Sequence, residues 1–120
     1  MVPRDLKQND LALADLDKAL IRGSDNARVL GTRGQLLLYQ FQDPEAARSD
    51  LERATELAPE DINHWYFYGG ALYALKDCEF VPALRKYEAL CDAPGKCYEE
   101  SLSWVRNTLK FVKDQGFCPK

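Results

Sequence analysis

The chain has 120 residues, the size of one domain, and its 46% hydrophobic and 29% charged residues are typical of a globular protein with a buried core. Its 19 acidic residues outnumber the 16 Lys plus Arg, and this net charge of -3 argues against general binding to nucleic acid or anionic membranes. The longest apolar runs, such as Leu36-Leu37-Leu38, fall far short of the ~20 residues that span a bilayer. Membrane insertion is therefore not expected, and no signal peptide is recognisable.

A pattern of a small, a large and a further apolar residue, spaced by four and then three positions, occurs three times. The second copy lies 35 residues after the first, and the spacing puts each copy on one face of a helix. The three copies are Ala12, Leu16 and Ala19; Ala47, Leu51 and Ala54; and Ala83, Tyr87 and Leu90.

A second pattern with a central glycine precedes the later two copies, again with a period of 35 residues. Its copies are Leu30, Gly34 and Leu37, and Trp65, Gly69 and Leu72. Glycine in a helix costs about 1 kcal/mol relative to alanine, so we expect close approach by a neighbouring helix, opposite the alanines, to compensate. Each unit is therefore predicted to be a glycine-containing helix, a short turn and a second helix.

The unit boundaries are marked by capping residues. Asp43-Pro44 predicts an N-cap and a first-turn proline, while Pro59 ends that unit and Asp61 can cap the next helix. The N-terminal unit shows only its second helix, at about residues 9–22, because Pro3 makes residues 1–8 a poor first helix. An apolar face around Leu13, Leu16 and Leu20 is then left uncovered.

A last amphipathic helix is predicted over residues 97–115, with Gly116 ending it. Its apolar face consists of Tyr98, Leu102, Val105, Leu109 and Val112. Trp104 and Phe111 form a separate stripe, which either widens the core contact or marks a partner site.

These patterns resemble the tetratricopeptide repeat, although Arg33 stands where that family has a large apolar residue and Leu90 where it has alanine. The resemblance implies an all-α, right-handed solenoid of helical hairpins with a C-terminal capping helix. The incomplete first unit suggests either a fragment of a longer array or a first helix that is capped by something else. Within a single domain of residues 1–120, the predicted parts are a half repeat at 9–26, repeats at 27–61 and 62–96, a capping helix at 97–115 and a tail at 116–120.

The same resemblance implies a concave groove, lined by the first helix of each unit, that binds a peptide or protein segment. The implied partner-binding residues are Arg28, Gln35, Tyr39, Asn63, Tyr66 and Tyr73, with Gly31, Leu38, Gly70 and Ala74 beside them. The two glycines are expected to leave room for a ligand backbone. The alternative is that the aromatic residues only pack the core between repeats. Chaperone binding is not expected, because the Lys, Asn and Arg of the family's carboxylate clamp are absent.

The sequence offers no catalytic constellation and implies no cofactor or metal. His64 is the single histidine and is predicted to be an exposed first-turn residue, and Asp50 is predicted to lie with Glu52, Arg53 and Glu56 on a solvated helix face. The protein is thus interpreted as a non-catalytic scaffold or adaptor. The rival interpretations are a structural or self-assembling segment, forming a homo-oligomer through exposed repeat ends, and a thiol-redox protein.

Four cysteines lie in the last third of the chain, and helix geometry predicts how they pair. Cys78 and Cys91 lie at opposite ends of a helix ~18 Å long, whereas Cys91 and Cys97 flank one turn. An antiparallel final helix then brings Cys118 near Cys78. We therefore predict Cys91–Cys97 and Cys78–Cys118 disulfides, with four reduced thiols or a zinc site as alternatives. Disulfides slightly favour a periplasmic or secreted location over the cytoplasm.

Overall fold

The computed structural model describes the backbone of residues 2–21, 26–91 and 97–115 and the side chains of residues 8–21, 26–91 and 97–114. All regular secondary structure in this part of the chain is helical and it contains no strand, so the predicted all-α class is confirmed. The helices are α1 (Val2–Ile21), α2 (Ala27–Tyr39), α3 (Pro44–Leu57), α4 (Ile62–Ala74), α5 (Phe80–Leu90) and α6 (Glu99–Gln115). None of these helices is long and apolar enough to cross a membrane.

Each helix packs against the next helix along the chain, and α2 also contacts α4. The hairpins α2–α3 and α4–α5 therefore lie side by side, with α1 at one end and α6 at the other. The larger core cluster joins α4, α5 and α6, and the smaller one joins α3 to α4.

The predicted caps are present. The carboxylate of Asp43 accepts a hydrogen bond from Ala46 N at the start of α3, and that of Asp61 accepts one from Asn63 N at the start of α4. Pro44 occupies the first turn of α3, where a missing N–H costs nothing. Asn26 caps α2 in the same way through Arg28 N. These side chains satisfy amide groups that the helix itself leaves unpaired.

Gly34 and Gly69, the central glycines of the repeated pattern, are sites of close helix approach, as predicted. A Cβ atom on Gly34 would lie 2.5 Å from Cγ of Leu51, and one on Gly69 would lie 2.5 Å from Cδ2 of Leu84. Leu51 and Leu84 are fully buried. The atoms nearest to both glycines therefore belong to leucines of the following helix.

The N-terminal helix is longer than predicted. Helix α1 begins at Val2, so residues 2–8 extend the helix predicted for 9–22. Pro3 is compatible with this start because it lies in the first turn, where its nitrogen would have no intrahelical partner. Residues 2–8 therefore belong to the same helix as residues 9–21 and do not form a separate first helix of the N-terminal unit.

Arg33 explains one departure from the repeat pattern. Its guanidinium makes two hydrogen bonds to the Asp50 carboxylate, at 2.7 and 2.8 Å, and one to Asp17 at 2.8 Å. The hydrogen bonds to Asp50 raise the pKa of Arg33 further above its usual value. Asp50 is only 7% exposed, so its predicted place on a solvated face is wrong. Arg33 thus joins α1, α2 and α3 by charge where an apolar residue would join them by packing.

The final helix packs on the third unit and is tied to it covalently. Val105 and Val112 of α6 are buried in the core, and Glu99 and Glu100 lie in its first turn. Cys91, which ends α5, is disulfide-bonded to Cys97, with their Cα atoms 5.6 Å apart. This bond confirms the first predicted pair and rules out free thiols or zinc ligation for these two residues.

Cys78 is also disulfide-bonded. Cys118, its predicted partner, lies outside the described residues, as do Gly116 and the rest of the tail. The second predicted pair therefore stays a prediction.

Candidate binding groove

An open cavity of about 330 Å³ lies between α2, α4 and α6. We call it the aromatic groove; its lining residues are Leu38, Tyr39, Tyr66, Gly70, Tyr73, Ala74 and Trp104. This lining includes no charged side chain. Three of the six predicted partner-binding residues, the tyrosines, thus come together in one cavity.

The local sequence explains how α4 supplies the floor of the groove. Tyr66, Gly70 and Tyr73 are spaced by four and three residues, which places them on one helix face. A Cβ atom on Gly70 would lie 3.7 Å from Cδ2 of Leu38 and 3.9 Å from the Tyr39 hydroxyl, which are ordinary contact distances. Gly70 is therefore not required by close packing, and its missing side chain leaves space in the groove.

The rings of the groove hold one another in place through edge contacts. Trp104 lies edge-on to Tyr66 and Tyr73, with ring centroids 6.1 and 5.6 Å apart. Tyr39 lies edge-on to Phe67, at 5.8 Å. Edge-to-face packing is a favourable arrangement of aromatic rings, so these side chains are positioned before any ligand arrives.

Three of these rings remain largely accessible. Tyr39 is 49% exposed, Tyr73 45% and Trp104 37%, whereas Tyr66 is half-buried against Tyr87. Packing of the core therefore accounts for Tyr66 better than for the other three rings. A contiguous exposed aromatic surface of this kind is typical of an interaction site.

The polar atoms of the groove are unused within the protein. No hydrogen bond in the described part of the chain involves the hydroxyls of Tyr39, Tyr66 or Tyr73, or Nε1 of Trp104. The indole of Trp65, by contrast, donates to the carbonyl of Pro59 at 2.7 Å. Burial, and to a lesser extent Tyr66, raises the pKa of Tyr39, so its hydroxyl stays protonated at neutral pH. The residues that line the groove thus carry four N–H or O–H donors that have no partner among the described residues.

The three polar residues predicted to bind a partner lie elsewhere. Arg28, Gln35 and Asn63 line a second cavity of about 270 Å³ between α2 and the start of α4. The structure therefore separates the three tyrosines from Arg28 and Asn63, while Gln35 also lines a further cavity together with Tyr39. The role of all six residues in binding stays a prediction.

His64 lies beside this second cavity and is buried, so its predicted exposure is wrong. It is only 6% exposed, because its imidazole fills the space above Gly31, where a Cβ atom would lie 2.5 Å from Nε2. Nε2 is 3.7 Å from the Asp61 carboxylate, and the buried Nδ1 has no hydrogen-bond partner among the described residues. Gly31 therefore accommodates His64, and the expectation that it leaves room for a ligand backbone is wrong.

A third cavity, also of about 330 Å³, continues from the aromatic groove along α6. Tyr73 and Ala74 line both cavities, and this one adds Lys76, Phe80, Phe111 and Val112. Lys76 is the single charged residue in the two linings. The Trp104–Phe111 stripe, predicted as a separate surface, therefore lines these adjoining cavities.

Trp104 is the groove residue that sequence reasoning assigned elsewhere. Helical periodicity identified it as lying off the apolar face of α6, but it could not show which neighbouring helix it meets. That contact depends on how α6 folds back over α4. No known family model and no curated protein matches this chain in sequence.

Proposed function

We propose that the protein is a non-catalytic protein-interaction module that binds a peptide or protein segment in the aromatic groove. The observation that supports this most directly is the cluster of accessible rings of Tyr39, Tyr73 and Trp104 with their unused donors. Tyrosine and tryptophan supply much of the binding energy at protein interfaces, because they combine a large apolar surface with a polar atom.

The resemblance to tetratricopeptide repeats supports the same proposal. In such a right-handed solenoid, α2 and α4 would be the first helices of two repeats, and α6 would be the capping helix. The groove would then lie on the concave face of a scaffold or adaptor. The Cys91–Cys97 disulfide favours a periplasmic or secreted place of action over the cytoplasm.

A peptide selection experiment tests this function. A random library of displayed peptides would be selected on the purified, oxidised protein, and the selected peptides measured against Tyr39→Ala and Trp104→Ala. We expect each change to weaken binding at least tenfold, which corresponds to a loss of about 1.4 kcal/mol of binding free energy.

The matched control is Tyr98→Ala, because Tyr98 is 81% exposed and lines neither the aromatic groove nor the cavity that adjoins it. This change should leave the affinity within twofold. Selection of no peptide that depends on Tyr39 or Trp104 would contradict the proposed function.

A self-assembling segment is the second candidate, supported by two exposed apolar side chains on α1. Leu11 is 60% exposed and Ile21 83%. If copies of the chain associate through these side chains, the mass in sedimentation should rise with concentration, and Leu11→Glu or Ile21→Glu should restore the monomer. A constant monomer mass up to high concentration would exclude this role.

A further inference from the structure

We infer that the aromatic groove binds an extended, proline-rich peptide, with an acidic residue of the peptide beside Lys76 in the adjoining cavity. This inference rests on the proposed function, because it specifies which class of peptide the aromatic groove binds. The unused donors, the ring surfaces and the distribution of charge each restrict the ligand independently.

The unused donors favour an extended ligand. The hydroxyls of Tyr39, Tyr66 and Tyr73 and Nε1 of Trp104 all lack partners among the described residues. In a helical ligand all carbonyl groups except those of the last turn are bonded within the helix. The carbonyls of a polyproline II segment are all free, because that conformation has no internal hydrogen bonds. An extended backbone therefore matches these donors better than a helix does.

The ring surfaces favour proline among extended sequences. Tyr66, Tyr73 and Trp104 form a fixed aromatic wall on both sides of Gly70, which adds no side chain of its own. Pyrrolidine rings pack against such walls, and a proline-rich chain loses little conformational entropy on binding because it is already extended. A flexible extended chain would bind more weakly through the same donors.

The charge distribution predicts the flanking residue. The aromatic groove has no charged side chain in its lining, and the adjoining cavity contains Lys76 alone. Lys76 is exposed and makes no ion pair within the described part of the chain. A carboxylate at this end of the ligand would be attracted, and no lining carboxylate would repel it. An exposed pair of this kind is worth about threefold in affinity.

Synthetic peptides of defined conformation test the inference. The probes are octaproline, about 25 Å long in polyproline II form, with two glutamates at one end or the other, and the same peptides without glutamate. A Gly-Ser peptide of equal length and an amphipathic Leu-Lys helix serve as comparisons. Affinities would be measured by calorimetry on the full chain with its disulfides intact. We expect a proline peptide to bind at least tenfold more tightly than either comparison peptide.

Two sets of variants test the contacts without removing ring packing. The triple change Tyr39→Phe, Tyr66→Phe and Tyr73→Phe keeps the rings and removes three of the four donors, leaving Nε1 of Trp104, so we expect proline peptides to bind at least tenfold more weakly. Tyr98→Phe is the matched control and should change nothing. Lys76→Gln should remove the preference for peptides whose glutamates lie beside residue 76. It should also remove the salt dependence of that preference.

The outcomes separate this inference from the proposed function. Tighter binding of the helix than of the proline peptides, lost in Trp104→Ala, would overturn the inference and leave the function standing. Undiminished proline binding by the triple variant would overturn the donor argument and the inference with it. Failure of both the defined peptides and the displayed library to bind would overturn both proposals.

Discussion

The indole of Trp104 on α6 lies edge-on to the ring of Tyr73 on α4, with centroids 5.6 Å apart and planes at 87°. This contact makes the last helix one wall of the aromatic groove, and not merely a cover for the end of the core. The position of Trp104 depends in turn on how firmly α6 is held, for which the Cys91–Cys97 disulfide is the covalent element.

Removal of that disulfide should weaken both the fold and the groove. In Cys91→Ala/Cys97→Ala we expect the free energy of unfolding to fall by about 2 kcal/mol, because the bond closes a short loop. We also expect peptide affinity to fall, because α6 would hold Trp104 less firmly. Thermal unfolding and peptide calorimetry measure the two effects. The variant is preferable to a reductant, which would also act on Cys78. Unchanged affinity would mean that packing of Val105 and Val112 alone positions Trp104.

Adjacent glycines on α4 should respond oppositely to the same substitution. In Gly69→Ala the new Cβ would meet the buried Leu84 at 2.5 Å, so we expect a loss of about 2 kcal/mol in the free energy of unfolding. In Gly70→Ala the nearest atom is 3.7 Å away, so the helix-propensity gain of about 1 kcal/mol should dominate. Urea unfolding compares the two variants directly.

Gly70→Ala also tests the groove, because its Cβ would enter the cavity. We expect a more stable protein that binds its peptide more weakly, and stability alone cannot produce that combination. Equal stability changes in the two variants would contradict the packing described for α4 and α5.

Loss of Arg33 should destabilise the junction of the first three helices. In Arg33→Ala the nearly buried Asp50 carboxylate loses a bidentate partner, and we expect about 3 kcal/mol less stability, measured by urea unfolding. Arg106→Ala is the matched control, because its pair with Glu88 is exposed and should contribute less than about 1 kcal/mol. Equal losses for the two arginines would contradict this assignment.

Alkaline pH should destabilise the protein through its partly buried tyrosines. Burial raises the pKa values of Tyr39, Tyr68 and Tyr87 above the ordinary value. The unfolded state therefore releases these protons first as the pH rises. Their contribution to stability is complete below about pH 10 and is lost as the pH passes through the folded-state pKa values.

Urea unfolding at a series of pH values measures this loss. The combined change of Tyr39, Tyr68 and Tyr87 to Phe should reduce the alkaline fall in stability, whereas Tyr98→Phe, at an exposed site, should not. An identical fall in both variants would assign it to other groups.

Much of the local structure was predictable from the sequence because it depends on neighbours along the chain. Asp43 and Asp61 cap helices by bonding amides two or three residues ahead, and a spacing of three and four places Gly34 and Gly69 on packed faces. The Cys91–Cys97 bond was predictable for the same reason, since one short turn separates the two residues.

Other features depended on partners that no spacing reveals. His64 is buried because α2 offers the bare backbone of Gly31 to its imidazole, and Asp50 is buried because Arg33 reaches it from another helix. Both side chains are polar, so the sequence predicted exposure. The stabilisation gained by pairing Asp50 with Arg33, or by filling the space above Gly31 with the imidazole of His64, arises only once the helices have packed.

Periodicity in the sequence determined the helices, their caps and the aromatic face of α4 that carries Tyr66 and Tyr73. The tertiary structure alone decided that α6 returns across α4 and that Trp104 completes the groove with those tyrosines. The physical reason is that periodicity records which face of a helix is apolar. The residue that this face meets is set by the packing of all the helices together.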